Sequence, residues 1–201
     1  MYARSRAMPV NPNTSYQQLV RAYVAQLAAA WSAELDDDQR AAWNTYAANV
    51  PLVDKLGTPQ YVTGLNHFIR SNSVRLRAGL ARVDDGPSEL YLPWFTNPTI
   101  AANSGTEQLS VTFTNTDEWA GEVGGAMLVF ASSPQPATVN FFKGPYRYLG
   151  KIAGAATPPT SPQSFSLPYD LTAGQRVFAR IEIVRADGRV SNPFRLDAVA
   201  S

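Results

Sequence analysis

The feature that most constrains this chain is a change of texture near residue 84. Residues 1–83 contain fourteen Ala, three Gly and four Pro, whereas residues 84–201 contain ten Gly and eleven Pro, with Thr, Val and Phe throughout. Alanine-rich stretches favour helix, and short β-branched or aromatic runs broken by Gly and Pro favour strands joined by turns. The seam, Val83-Asp84-Asp85-Gly86-Pro87, is a polar turn cluster suited to a linker. The expected fold class is therefore α+β in two modules: an extended arm over 1–13, a small helical bundle over 14–83, a linker over 84–88 and an antiparallel β-sandwich over 89–201.

Within the first module, Pro9 and Pro12 bias Met1–Asn13 away from helix. Thr14 or Ser15 can then cap a first helix, along which Tyr16, Leu19, Val20, Tyr23, Val24, Leu27 and Trp31 fall at spacings of three and four. Asp36-Asp37-Asp38-Gln39 opens a second helix, with carboxylates at the positive end of its dipole and Gln39 placed for a capping box. Trp43, Tyr46, Ala47 and Val50 are its apolar stripe, and Pro51 ends it. Thr58-Pro59 has the order of a cap followed by an N1 proline, so a third helical segment is expected from there. Tyr61, Val62, Leu65, Phe68, Ile69, Leu76 and Leu80 supply its apolar side, with Gly64 as a point of kinking or division.

In the second module apolar and polar residues alternate. Leu109, Val111 and Phe113 face one way and Ser110, Thr112 and Thr114 the other, while Met127–Ala131 reads as a more fully buried strand. Val177, Ala179, Ile181 and Ile183 alternate with Phe178, Arg180, Glu182 and Val184, and Asp187-Gly188 is a hairpin-type turn. Roughly seven such runs over about 110 residues fit a sandwich.

Asp170–Ser191, containing Leu171-Thr172-Ala173-Gly174 and Asp187-Gly188-Arg189-Val190-Ser191, resembles the end of a fibronectin type III domain. In that family a Leu-x-Pro-Gly corner leads into strand F and an Asp/Asn-Gly-x-x-Ser turn into strand G. Val177 departs from the corner tyrosine usual there, and Phe113 from the common strand-B tryptophan. The first half, from Asn11-Pro12-Asn13-Thr14 through Gln39-Arg40-x-x-Trp43 and Gly64-Leu65-Asn66-x-Phe68-Ile69-Arg70-x-Asn72, resembles phage and prophage proteins in which such a helical segment precedes a β domain. Together the two resemblances imply a structural component of a tailed-phage virion, made in the host cytoplasm. Its implied partners are other virion proteins, such as capsid, portal, neck or tail subunits, in a multi-copy assembly.

Chemistry-bearing patterns are sparse. The chain has no Cys and one His, so disulfides and thiolate metal sites do not arise. His67 has no nucleophile signature such as G-x-S-x-G beside it. Asp36-Asp37-Asp38 lacks the spacing of an EF-hand loop and reads as helix capping. Gly121-Glu122-Val123-Gly124-Gly125 lacks the strand–turn–helix context of a phosphate cradle. No aromatic-rich groove motif frames a glycosidase carboxylate pair. The expectation is no enzyme, no catalytic residue, no cofactor and no metal. Arg4 and Arg6 have no apolar stretch after them, which argues against a secretory leader, and no run approaches the length of a membrane span.

Partner contact is expected through Tyr2, Arg4 and Arg6 on the arm and through Arg70, Arg75 and Arg77 as a charged surface. Charged residues make up only 16% of the chain, which suits either a surface partly covered by neighbours or a free surface rich in Ser, Thr, Asn and Gln. Two alternatives stand beside the virion reading. Nine Lys/Arg against five Asp/Glu in residues 1–83, with Trp31-Ser32-x-x-Leu35 and Gln39-Arg40-x-x-Trp43 resembling the second helix of a high-mobility-group box, would suit DNA binding. That half holds a single Lys, against the dense positive charge that phosphate contact needs. The other alternative is a carbohydrate-binding surface module, using sandwich aromatics such as Trp94, Trp119 or Tyr146.

Overall fold

The computed structural model describes residues 13–54 and 56–201. The arm expected over 1–13, Tyr2, Arg4 and Arg6 included, lies outside the described residues except for Asn13. The described chain contains three helices and antiparallel β-sheets, an α+β fold.

Each helix starts at a polar cap that satisfies free backbone N–H groups. Thr14 accepts from the Gln17 amide and Gln17 reaches back to Thr14, setting α1, Ser15–Ala33. Asp36 and Gln39 make the same reciprocal pair for α2, Asp37–Asn49. The third helix corrects the expected start. Thr58 and Pro59 do not open it: β1 (Leu52–Val53) and β2 (Pro59–Gln60) form a small antiparallel pair, and α3 runs from Gly64 to Arg77 behind a Thr63 cap. The Asp54 carboxylate accepts from the Leu56 and Thr58 amides at 2.7 and 2.9 Å, closing a turn before a helix can begin. Gly64 does not kink α3. It is the first residue of the helix, and a Cβ there would lie 2.8 Å from the Asn44 backbone nitrogen, so only glycine lets α3 approach α2 this closely.

The helices meet over Leu27, Leu35, Trp43, Tyr46, Val50 and Phe68. Trp31 and Trp43 each approach Phe68 with ring centroids 5.6 Å apart, the Trp43 pair edge-on.

Seven further strands form two sheets: β3 (Thr99–Asn103), β4 (Gln108–Thr112) and β7 (Gln163–Ser166) in the order β3-β4-β7, and β5 (Ala126–Ala131), β6 (Arg147–Ala153), β8 (Arg176–Val184) and β9 (Phe194–Val199) in the order β6-β5-β8-β9. The sheets face each other across Leu109 and Val111 on one side and Met127, Val129, Val177, Ala179, Ile181 and Ile183 on the other. These are the alternating positions expected from the sequence, and β5 is buried on both faces. Its outer residues Ala126, Leu128 and Phe130, with Val184 and Val190, pack beneath Val74, Ala78 and Leu80 from the end of α3 and just beyond. The helices and the four-stranded sheet therefore share an apolar layer.

The residues between the modules are pinned. Asn72 bonds both the amide and the carbonyl of Val83, Trp43 Nε1 donates to the Asp84 carbonyl at 2.8 Å, and Gln39 donates to the Asp85 carboxylate. A Cβ on Gly86 would stand 2.6 Å from the Ala42 carbonyl carbon.

Candidate functional site

The α3 arginines offered as a partner-facing surface are used inside the chain. Arg70 donates through both terminal nitrogens to the carbonyls of Val190 and Ser191, at 3.1 and 3.0 Å. Arg75, only 4% exposed, donates from Nε to the Ala81 carbonyl at 2.8 Å and from Nη1 to the Arg185 carbonyl at 2.6 Å. Burial lowers the pKa of both guanidinium groups from the ordinary arginine value, and neither has a carboxylate within ion-pair distance. The planar fork explains the choice of residue, since it can serve two backbone acceptors on a separate strand or turn. Arg77 lies over the rings of Tyr16 and Phe130, at 5.7 and 5.6 Å, linking α1 to the outer face of β5.

The other described arginines of the first half are also partnered. Arg82 bridges Glu34 and Asp84, Arg40 reaches Asp37 and the Trp31 carbonyl, and Arg21 donates to the Asn13 side chain. The described residues of this half thus present no cluster of free cations of the kind a DNA backbone requires.

His67 is fully buried, its Nε2 3.1 Å from the Val50 carbonyl and its ring edge-on to Tyr46 at 5.0 Å. Burial is the main cause of its lowered pKa, with the Arg70 charge adding to it. Its Nδ1, the Tyr46 hydroxyl and the Ser71 hydroxyl have no hydrogen-bond partner among the described residues. The group is sealed in the helical core and open to no substrate. Asp36 caps α2, and no group of three or more His, Asp or Glu among the described residues could hold a metal ion. No described helix is long and apolar enough to cross a membrane.

The helical half also exposes a set of apolar side chains. The expected stripe of α1 divides: Leu27 and Ala30 are buried, but Tyr16, Leu19 and Val24 are 50%, 44% and 40% exposed, with Val20 and Tyr23 half-buried beside them. Arg21 is the sole charged side chain in this 19-residue helix. The β1–β2 pair adds Leu56, 91% exposed at a turn held by Asp54, with Val53 and Tyr61 exposed nearby. The hairpin was not anticipated, although the Asp54–Thr58 spacing around Gly57, whose φ is +85°, carried its signal.

The three sandwich aromatics separate cleanly. Trp119 is buried in the inter-sheet core, Tyr146 is half-buried and donates to the Phe142 carbonyl, and Trp94 is left open to solvent.

No family model and no curated protein matches this chain. Among solved structures it is similar to a family 76 glycoside hydrolase from a bovine Bacteroides thetaiotaomicron strain, at 12% identity and a TM-score of 0.39, over 54% of this chain and 20% of that one. It is also similar to the adhesin domain of Epf from Streptococcus pyogenes, at 12% identity and a TM-score of 0.35, over 55% of this chain and 33% of that one. The chain thus spans a third or less of the length of either structure. Likenesses this low assign it neither an activity nor a partner.

Proposed function

We propose that this chain is a non-enzymatic structural or accessory component of a tailed-phage virion, docked through its N-terminal arm and helical bundle, with a fibronectin type III-like sandwich held behind them. The observation that carries the reading is the free face of α1. A helix with an exposed apolar stripe and one charge along its length is poorly suited to bulk water and well suited to a protein neighbour. Burying half-exposed side chains such as Tyr16, Leu19 and Val24 yields on the order of 1 kcal/mol each. Leu56, presented on a tied turn, extends the same apolar surface.

The fibronectin-like reading is supported by strand order. The first, second and fifth strands of the sandwich share one sheet, and the third, fourth, sixth and seventh share the other. The sixth and seventh, β8 and β9, fall where the resemblance places strands F and G. Leu171 is buried at the corner before β8, and Gly174 there has φ +84°.

Mass spectrometry and cryo-electron microscopy of purified particles test the proposal. The chain should be present at a fixed copy number, and a Leu19→Glu/Val24→Glu variant should fold normally yet fail to incorporate. A particle lacking the chain, or one incorporating the variant at wild-type level, would remove the basis for this reading.

A further inference from the structure

The open indole of Trp94 stands at a cavity of about 320 Å³ between the segment entering β3 and the turn entering β9. Trp94 is 70% exposed, yet the chain on either side of it is fixed. Pro93 is buried, and Phe95 packs on the sandwich core and meets Phe194 edge-on at 6.2 Å. Thr96 is held twice by Asp117, its amide at 2.9 Å and its hydroxyl at 2.8 Å. The opposite wall is equally set: the Ser191 hydroxyl accepts from the Ile183 amide of β8 at 2.9 Å, the Ser191 amide donates to the Ile183 carbonyl, and Arg70 grips the Val190 and Ser191 carbonyls. An aromatic plane is therefore presented to solvent by a rigid backbone, with little ordering left to be done when a ligand arrives.

The chemistry of the lining narrows the ligand. Asn97 and Asn192 are exposed at the cavity and their side chains make no hydrogen bond among the described residues, so each offers two N–H donors and a carbonyl acceptor. No charged side chain lines the cavity. A purely apolar ligand would leave these amides unpaired, and an anion would meet no cation. A ligand with one flat C–H face and a rim of neutral hydroxyls satisfies both walls. We propose that this cavity is a binding site for a neutral sugar ring, stacked by its apolar face on Trp94 with its hydroxyls on Asn97 and Asn192. The volume lies at the lower end of the range of small-molecule sites, about 300–1,000 Å³, which suits the terminal one or two rings of a glycan.

The test uses the full chain and follows its indole emission. Trp43 and Trp119 are buried and Trp31 is half-buried against Phe68, so a ligand at the cavity reports through Trp94. The probes are glucose, galactose, mannose, N-acetylglucosamine and their β-linked disaccharides, with glucuronic acid as the anionic comparator and a proline-rich peptide as the rival ligand. At least one neutral saccharide should give a saturable change of emission, and glucuronic acid should bind more weakly. By isothermal calorimetry, Trp94→Ala should weaken that binding at least tenfold with an unchanged far-UV spectrum and thermal midpoint, and Asn192→Ala should weaken it with Trp94 intact. Saturable binding of none of the neutral sugars, wild-type affinity in Trp94→Ala, or Trp94-dependent capture of the peptide instead would each overturn the assignment.

Discussion

Arg75→Met tests whether the guanidinium fork joins the helical half to the sandwich. Methionine keeps most of the aliphatic length and removes every donor. Two well-formed bonds are lost, Nε to the Ala81 carbonyl at 2.8 Å and Nη1 to the Arg185 carbonyl at 2.6 Å, together with a longer one to Gly124 at 3.4 Å. Bonds from a charged donor are each worth about 1.5–3 kcal/mol, and carbonyls left without a partner in a buried place add to the loss. Against this, a guanidinium held below its usual pKa by burial no longer has to be desolvated. The net expectation is a destabilisation of about 2–4 kcal/mol. Equilibrium urea unfolding, followed by helical far-UV signal and by indole emission, gives the magnitude. Because the bonds link α3 to the turns after β8 and before β5, the helical signal should also be lost at lower urea than the sheet signal in the variant. Arg75→Lys should cost about as much, since one ammonium cannot span both carbonyls, and this separates the role of the fork from that of the charge. A loss below about 0.5 kcal/mol in both variants would refute the reasoning.

Trp43→Ala should destabilise the chain by about 3–5 kcal/mol in thermal or urea unfolding, because it empties the fully buried centre of the helical core and strands the Asp84 carbonyl. Gly64→Ala should cost about 1–3 kcal/mol by the same assay, since its methyl would press on the Asn44 backbone. The folded-state pKa of His67 lies below its ordinary 6.5, so the unfolded chain binds the proton more readily. Stability should be unaffected by this group above that value and fall as pH drops through it, and His67→Gln should flatten the decline measured between roughly pH 7 and pH 5. Leu19→Glu should leave the unfolding midpoint of the isolated chain within about 0.5 kcal/mol of wild type, because Leu19 is 44% exposed and belongs to none of the buried apolar clusters of the described residues.

Local signals carried most of the element assignments. The caps of α1 and α2, the inward positions of β4 and β8 and the buried run of β5 follow from residue spacing, because they depend on neighbours within a turn or along a strand. The third helix was misplaced because Thr58-Pro59 satisfies a helix-start pattern equally well, and only the closure of Asp54 onto Thr58 decides against it. The seam at Val83–Pro87 has loop composition, yet its freedom is removed by Asn72, Trp43 and Gln39, partners 11 to 46 positions away. The arginines are the sharpest case. Charge alone suggests exposure, whereas Arg70 and Arg75 reach carbonyls 120 and 110 positions distant, respectively. The stripe of α1 was legible as an apolar face, but which part of it lacks a cover depends on how far α2 and α3 extend beneath it.

These long-range bonds give the two halves a mechanical relation that neither composition nor strand order conveys. Arg70 leaves α3 and holds the Val190 and Ser191 carbonyls, and the next residue, Asn192, lines the cavity beside Trp94. Arg77, two positions beyond Arg75 on the same helix, touches Tyr16 on the free face of α1. One helix thus reaches the wall of the cavity from its middle and the exposed apolar stripe from its last residue. A 14-residue helix is about 21 Å long, and its packed rows transmit a rigid displacement rather than absorbing it. The Arg77–Tyr16 contact and the Arg70 bonds to Val190 and Ser191 therefore belong to one and the same helix. In a chain joined by a free linker the exposed stripe of α1 and the sandwich cavity would be placed independently; here both are in contact with the same arginine-bearing helix or with residues it holds.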